Sequence, residues 1–251
     1  MEYRRNNPTP PALGSNWLYP EPTTPALCTP FGIPAKTAIP VWAATRPPVR
    51  PAIKERSTFY SFHYRDIFRV NHIRNAGAIR PQDRERLPTP RDRSLWESRK
   101  TTNPAALAAM INRGLSGTTV TAVLAGYETW QREWVRYEIA RSLARSNGLL
   151  TVYLDGCQCP NEGFAPPGPN PLSFIALGWN LRIYEQDPWG NWILYSKIRE
   201  RLPAWPKWLP RASQGRVMPL SEGAPAFDWI NDNGRYNLVR WTDEAAAAAG
   251  R

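Results

Sequence analysis

One carboxylate stands apart in this 251-residue chain. Glu138 follows Trp134 and Tyr137 and precedes Ile139 in a stretch with helical periodicity. At about 100° per residue, Val135, Ile139 and Leu143 form a buried stripe, and Glu138 stands one step from Ile139, at the rim of that stripe. A lone acid in such a place is a candidate catalytic group. Ordinary glycoside chemistry asks for two acids flanking the scissile bond, and no second acid is obviously paired with this one. Spacing alone equally allows a helix-surface acid bridging to Arg141 or Arg145, an interaction of about 0.3–0.5 kcal/mol.

The elements that must position Glu138 can be read around it. Val120–Ala125 is a short apolar run between Gly117 and Gly126, of the kind buried on both faces of a parallel sheet. Thr129 to Ser146 follows as an amphipathic helix closed by Asn147-Gly148, and Leu149–Leu154 is a second buried strand. Upstream, Ser57–Tyr64 has strand character. Asn103-Pro104 opens a helix through Asn112, with Gly114 as a left-handed C-cap. Strands alternating with helices predict an α/β fold with a mainly parallel sheet, in which ligands bind beyond the carboxyl ends of the strands. The words S-F-H-Y and G-Y-E-T fall on that edge.

The flanks differ. Residues 1–55 hold twelve prolines and read as an extended, Pro-rich arm. Its Trp17, Phe31 and Trp42 imply packing along the domain or a neighbouring subunit, so a homo-oligomer is one expectation and a disordered tail the other. Residues 56–178 are the expected domain. Residues 179–251 form a Trp-rich C-terminal extension packed on it, with a hairpin at Asp187–Gly190, a tight turn at Asn233-Gly234 and a last helix near Tyr236. Its tryptophans, Trp189 and Trp192 among them, read as core and interface anchors rather than substrate contacts.

Composition sets bounds. The net charge of +11 and pI of about 9.9 favour an anionic partner or a solvated basic surface. No nucleic-acid motif is present, so nucleic acid is not the expected partner. Three cysteines are too few for a disulfide framework. Cys157 and Cys159 lack the second pair or His cluster of a zinc set, so no metal is expected. No segment approaches the ~20 apolar residues of a membrane span, and the N-terminus lacks an apolar signal core. The expected location is cytoplasmic, with no membrane association.

Taken in order, several words resemble a known family. They are S-F-H-Y-R-D with F-R-V-N-H-I-R-N (Ser61–Asn75), S-L-W-E (Ser94–Glu97), I-N-R-G-L (Ile111–Leu115), T-T-V-T-A-V-L-A-G (Thr118–Gly126), W-V-R-Y-E-I (Trp134–Ile139) and F-D-W-I-N-D-N-G (Phe227–Gly234). This pattern, over roughly residues 57–242, resembles the TIR-like ThsB family of the bacterial Thoeris antiphage system. The arm departs from that family.

The resemblance implies a flavodoxin-like TIR domain. It implies an enzyme that senses a phage-derived trigger and converts NAD+ into a cyclic ADP-ribose-type signal for a partner effector, ThsA. NAD+ is then the substrate and no further cofactor is implied. The alternative is a non-enzymatic TIR signalling and assembly module. In TIR NADases the essential glutamate sits in a W-x-x-x-E-[IL] setting, which here is Glu138. Nicotinamide is already a cationic leaving group and needs no acid to protonate it, so a single carboxylate stabilising the oxocarbenium-like state suffices. Expected substrate-binding residues are Phe62, His63, Tyr64, Asp66, Arg69, Trp96 and Trp134. Phe62 or Tyr64 would stack on a ring while one of them enters the core, and Arg65 and Arg69 are candidates for the pyrophosphate.

Overall fold

The computed structural model describes residues 52–87 and 103–251. Residues 1–51 of the arm, Trp96 and Glu97 lie outside the described residues.

The central sheet is parallel, in the order β1 (Thr58–Phe62), β2 (Val120–Ala125), β3 (Gly148–Tyr153), β8 (Ala226–Asp228). Its register runs from Thr58 opposite Val120 to Phe62 opposite Leu124, and then from Val120 opposite Gly148 to Ala125 opposite Tyr153. All six residues of β2 are buried, which is why that strand is apolar on both faces apart from Thr121. Alternation divides the core into two layers. Val123 and Leu149 point to one side, where helices α3 (Pro104–Gly114) and α4 (Glu133–Ala144) pack. Val120, Leu124, Leu150 and Val152 point to the other, against helices α1 (Ile67–Asn75) and α5 (Gly234–Ala248). A short helix, α2 (Pro81–Arg86), follows α1. The predicted mainly parallel α/β sheet is therefore present.

The C-terminal segment does more than pack on this sheet. Its β8 pairs in parallel with β3, from Thr151 opposite Ala226 to Tyr153 opposite Asp228. Its α5 lies so close to β3 that a Cβ on Gly148 would overlap the Ala245 carbonyl, which is why a residue without a side chain opens that strand. Trp241 is buried and stacks on Phe227 at 4.2 Å between ring centroids. A second, antiparallel sheet lies between β3 and β8 in sequence, in the order β6 (Trp192–Leu194), β5 (Ile183–Gln186), β4 (Ile175–Gly178), β7 (Val217–Pro219). The expected hairpin is its β5–β6 pair, with Asp187 accepting bonds from the Trp189 and Asn191 amides. Trp189, at the tip of that turn, is 83% exposed and so is no core anchor.

Two local expectations are corrected. Gly114 lies within α3, and the left-handed glycine after that helix is Gly117 at φ 75°. The segment Thr129–Ser146 is not one helix. A 3-10 turn, Thr129–Gln131, is followed by an extended Arg132 (φ −80°, ψ 118°) before α4 begins. The Gly126 amide donates to the Thr129 hydroxyl, which ties the short turn to the end of β2 and gives α4 a separate start.

Candidate active site

A cleft of about 640 Å³ opens beside β1, between α3 and the start of α4. Phe59, Phe62, His63 and Tyr64 line it from the first strand and the turn after it, Met110 and Arg113 from α3, and Arg132, Trp134 and Glu138 from the α4 side. Its volume falls within the usual range for small-molecule sites.

Glu138 is buried, at 6% exposure, rather than on the surface. One of its carboxylate oxygens, Oε2, accepts a hydrogen bond from the Ser61 hydroxyl at 2.5 Å. Strand geometry puts Ser61 there. Residues two apart share a face of the sheet, and Ser61 shares its face with Phe59, which packs in the α4 layer. A second polar contact crosses the same seam, where Thr121 of β2 and Ser142 of α4 meet at 2.7 Å, and the Ser142 hydroxyl also donates to the Glu138 carbonyl. The two arginines that could have held Glu138 at the surface bond elsewhere. Arg141 pairs with Glu200 and Asn112, and Arg145 donates to the Asn112 carbonyl. A charge-assisted bond of this length fixes the orientation of the carboxylate. Held on a wall lined with aromatic rings, such a group can orient hydroxyls of a bound sugar and stabilise positive charge arising beside it.

The aromatic residues expected around Glu138 converge on it. Phe62, His63, Tyr64 and Trp134 all line the same cleft. Tyr64 is almost fully buried, whereas Phe62 is half-buried against the opposite core layer. Trp134 is braced by two neighbours. Tyr137 meets it edge-on at 5.7 Å, and the Lys197 ammonium lies 4.5 Å from its ring centroid.

Asp66 and Arg69 belong to a different arrangement, away from the residues that line the Glu138 cleft. Both are buried, and they pair with each other at 3.2 Å. The Thr129 hydroxyl donates to Asp66, while the Arg69 guanidinium donates to the Cys157 and Gly163 carbonyls. The pair therefore ties α1 to the turn after β2 and to the loop after β3. Gly126 belongs to the same joint, since a Cβ there would overlap the Asp66 carboxylate. Burial raises the Asp66 carboxyl above the ordinary carboxylate range, against the pull of the Arg69 charge. Arg65 is engaged as well, with Glu128 at 2.9 Å and Glu162 at 3.4 Å.

Among the polar residues of the site, Ser61 beneath Glu138 and Arg113 and Arg132 on the cleft wall escape the sequence reading. The period-2 pattern of β1 carries a signal for Ser61, a hydroxyl on an otherwise apolar face. Arg132 carries none, because its place depends on the break before α4. Among the described residues, no group of three or more His, Cys, Asp or Glu side chains is placed to hold a metal ion, and no helix is long and apolar enough to cross a membrane.

Comparison with known proteins bears on the same region. The family model of the Thoeris protein ThsB, TIR-like domain, matches residues 59–158, from β1 to just beyond β3 and including Glu138. A protein of Bacillus cereus (strain MSX-D12), named as a candidate cyclic ADP-D-ribose synthase, ThsB1, is 32% identical over 195 residues. That alignment covers 75% of this chain and 99% of the relative.

Proposed function

The chain belongs to the ThsB family of Thoeris TIR-like proteins, and on that premise we propose that it cleaves the nicotinamide–ribose bond of NAD+ and closes the remaining ADP-ribose into a cyclic signal, with Glu138 as the catalytic carboxylate. The observation that carries this reading is the buried Glu138 carboxylate, fixed by Ser61 at 2.5 Å on the wall of an aromatic-lined cleft. The name of the Bacillus cereus relative supports the product class.

The chemistry needs little else. The C1′–N bond breaks with its electron pair going to nicotinamide, which leaves neutral. Positive charge then develops on C1′ and the ring oxygen of the ribose, and the Glu138 carboxylate stabilises it while engaging ribose hydroxyls. The lone pair of an adenine ring nitrogen forms the new bond to C1′, and the base gives up a proton. Attack by water at the same carbon gives linear ADP-ribose, so ring closure requires a folded dinucleotide and exclusion of water. Phe62, Tyr64 and Trp134 supply apolar, stackable walls for both tasks. The product acts as a diffusible message to a partner effector, and a phage-derived trigger starts turnover.

The test is mass spectrometry of nucleotides from infected cells carrying the wild type or Glu138→Gln. The variant keeps an oxygen for Ser61 but loses the charge. Wild-type cells are expected to accumulate nicotinamide and a cyclic ADP-ribose isomer, and variant cells neither. Equal accumulation in both would remove Glu138 from the mechanism.

A further inference from the structure

We propose that Arg113 and Arg132 form a diphosphate-binding subsite in the Glu138 cleft, so that the protein holds a dinucleotide by its bridging phosphates. The proposal rests on the reading of Glu138 as the reacting end of the site.

The two arginines reach the cleft from different elements, Arg113 from the last turn of α3 and Arg132 from the extended residue that precedes α4. Arg113 is exposed, and its side chain makes no ion pair or hydrogen bond among the described residues. The Arg132 side chain is partly exposed and is held at one end. Its Nη2 pairs with Glu128, while its Nε is buried and has no hydrogen-bond partner. A buried guanidinium N–H without an acceptor is costly unless a ligand supplies one.

The backbone adds to this. Arg132 occupies the N-cap position of α4 and offers its first-turn amides no side-chain acceptor, and Glu133, Trp134 and Val135 of that first turn line the cleft. Helix starts of this kind favour anions through their free N–H groups and dipole. The acids nearby are already matched, Glu133 with Lys197 and Glu138 with Ser61. The arginines expected from sequence to meet a pyrophosphate are committed elsewhere, Arg69 to Asp66 and two carbonyls and Arg65 to Glu128 and Glu162. A diphosphate anchored by Arg113, Arg132 and the start of α4 leaves one nucleoside to reach Glu138 and the other free to fold back on it.

The test uses the full-length chain in the Glu138→Gln background, with affinities measured by calorimetry for ADP-ribose, which carries the diphosphate, and for nicotinamide riboside, which does not. Arg113→Gln, at an exposed position, is the variant least able to disturb folding, and Arg132→Gln is accompanied by a thermal melt. Each change is expected to weaken ADP-ribose about tenfold or more and to leave nicotinamide riboside within about twofold. ADP-ribose binding that is unchanged in both variants, or absent from the parent, would overturn the subsite. The Glu138 reading is judged separately, by product formation in infected cells.

Discussion

Replacing Arg69 with Met would decide whether the Asp66–Arg69 pair is architecture or a substrate contact. The Arg69 side chain is 3% exposed and lies 3.2 Å from Asp66. It also donates to the Cys157 carbonyl at 3.2 Å and the Gly163 carbonyl at 3.1 Å. Removing one partner of a buried ion pair costs about 3–5 kcal/mol, because the other charge stays behind. For a folded unit of this size each kcal/mol lowers Tm by about 2–4 °C, so a fall of about 6–20 °C is expected. The pH dependence follows from Asp66. Its carboxyl is already raised by burial, with Arg69 as the main opposing influence, so losing Arg69 raises it further. A carboxyl raised in the folded state favours folding at low pH and loses that contribution as pH climbs through its folded pKa. The deficit of the variant relative to wild type should therefore be larger at about pH 8 than at about pH 5. Thermal melts by circular dichroism at the two pH values give the stability readout, and calorimetry gives NAD+ affinity. If Arg69→Met melted like wild type yet bound NAD+ about tenfold more weakly, the architectural account would fail.

Ser61→Ala should lower formation of the cyclic product by about tenfold or more, since a charged hydrogen bond is worth about 1.5–3 kcal/mol. Turnover equal to wild type would remove Ser61 from the site. Gly148→Ala should cost about 3 kcal/mol, because the new methyl meets the Ala245 carbonyl and lies 2.8 Å from the Ala246 amide nitrogen, both backbone atoms that move only with α5. An unchanged urea midpoint would contradict that packing. The Cys157 thiol is pushed up to about 12, chiefly by burial, so at about pH 8 iodoacetamide should label it in the native protein about a thousandfold more slowly than after unfolding. Peptide mass spectrometry reads the difference, and rapid native labelling would mean that the loop opens.

What the sequence makes legible follows from how local each signal is. The strands β2 and β3 are mostly apolar and are buried over six and five residues, and α3 opens on Asn103, whose side chain accepts from the Ala106 amide as an N-cap should. Those features declare themselves within a single window. Beyond its β5–β6 hairpin the second sheet does not, since β4 and β7 are three or four residues long and pair across distant segments. Strand β8 is three residues long and is equally silent. In the site, Glu138 is ambiguous by spacing and gains weight from the family pattern, whereas its burial comes from packing. The packing of Asp66 and Arg69 is hidden for a related reason. Charged residues after the first strand read as ligand contacts, and only the carbonyls of Cys157 and Gly163, about ninety residues away, make this pair an interior joint.

The position of β8 also governs how this chain can be made. Three strands of the central sheet are complete by Tyr153, yet the strand that covers the β3 edge starts at Ala226, and the helix over Leu150 and Val152 runs from Gly234 to Ala248. During synthesis, some seventy residues must leave the ribosome while an apolar strand presents unpaired N–H and C=O groups and a bare face. Such a topology folds late and is open to aggregation until its last elements arrive. A fragment ending before Ala226 would keep Glu138, Ser61 and the cleft residues in sequence but should collapse into insoluble material, so the site depends for its survival during translation on residues that come some ninety positions after Glu138.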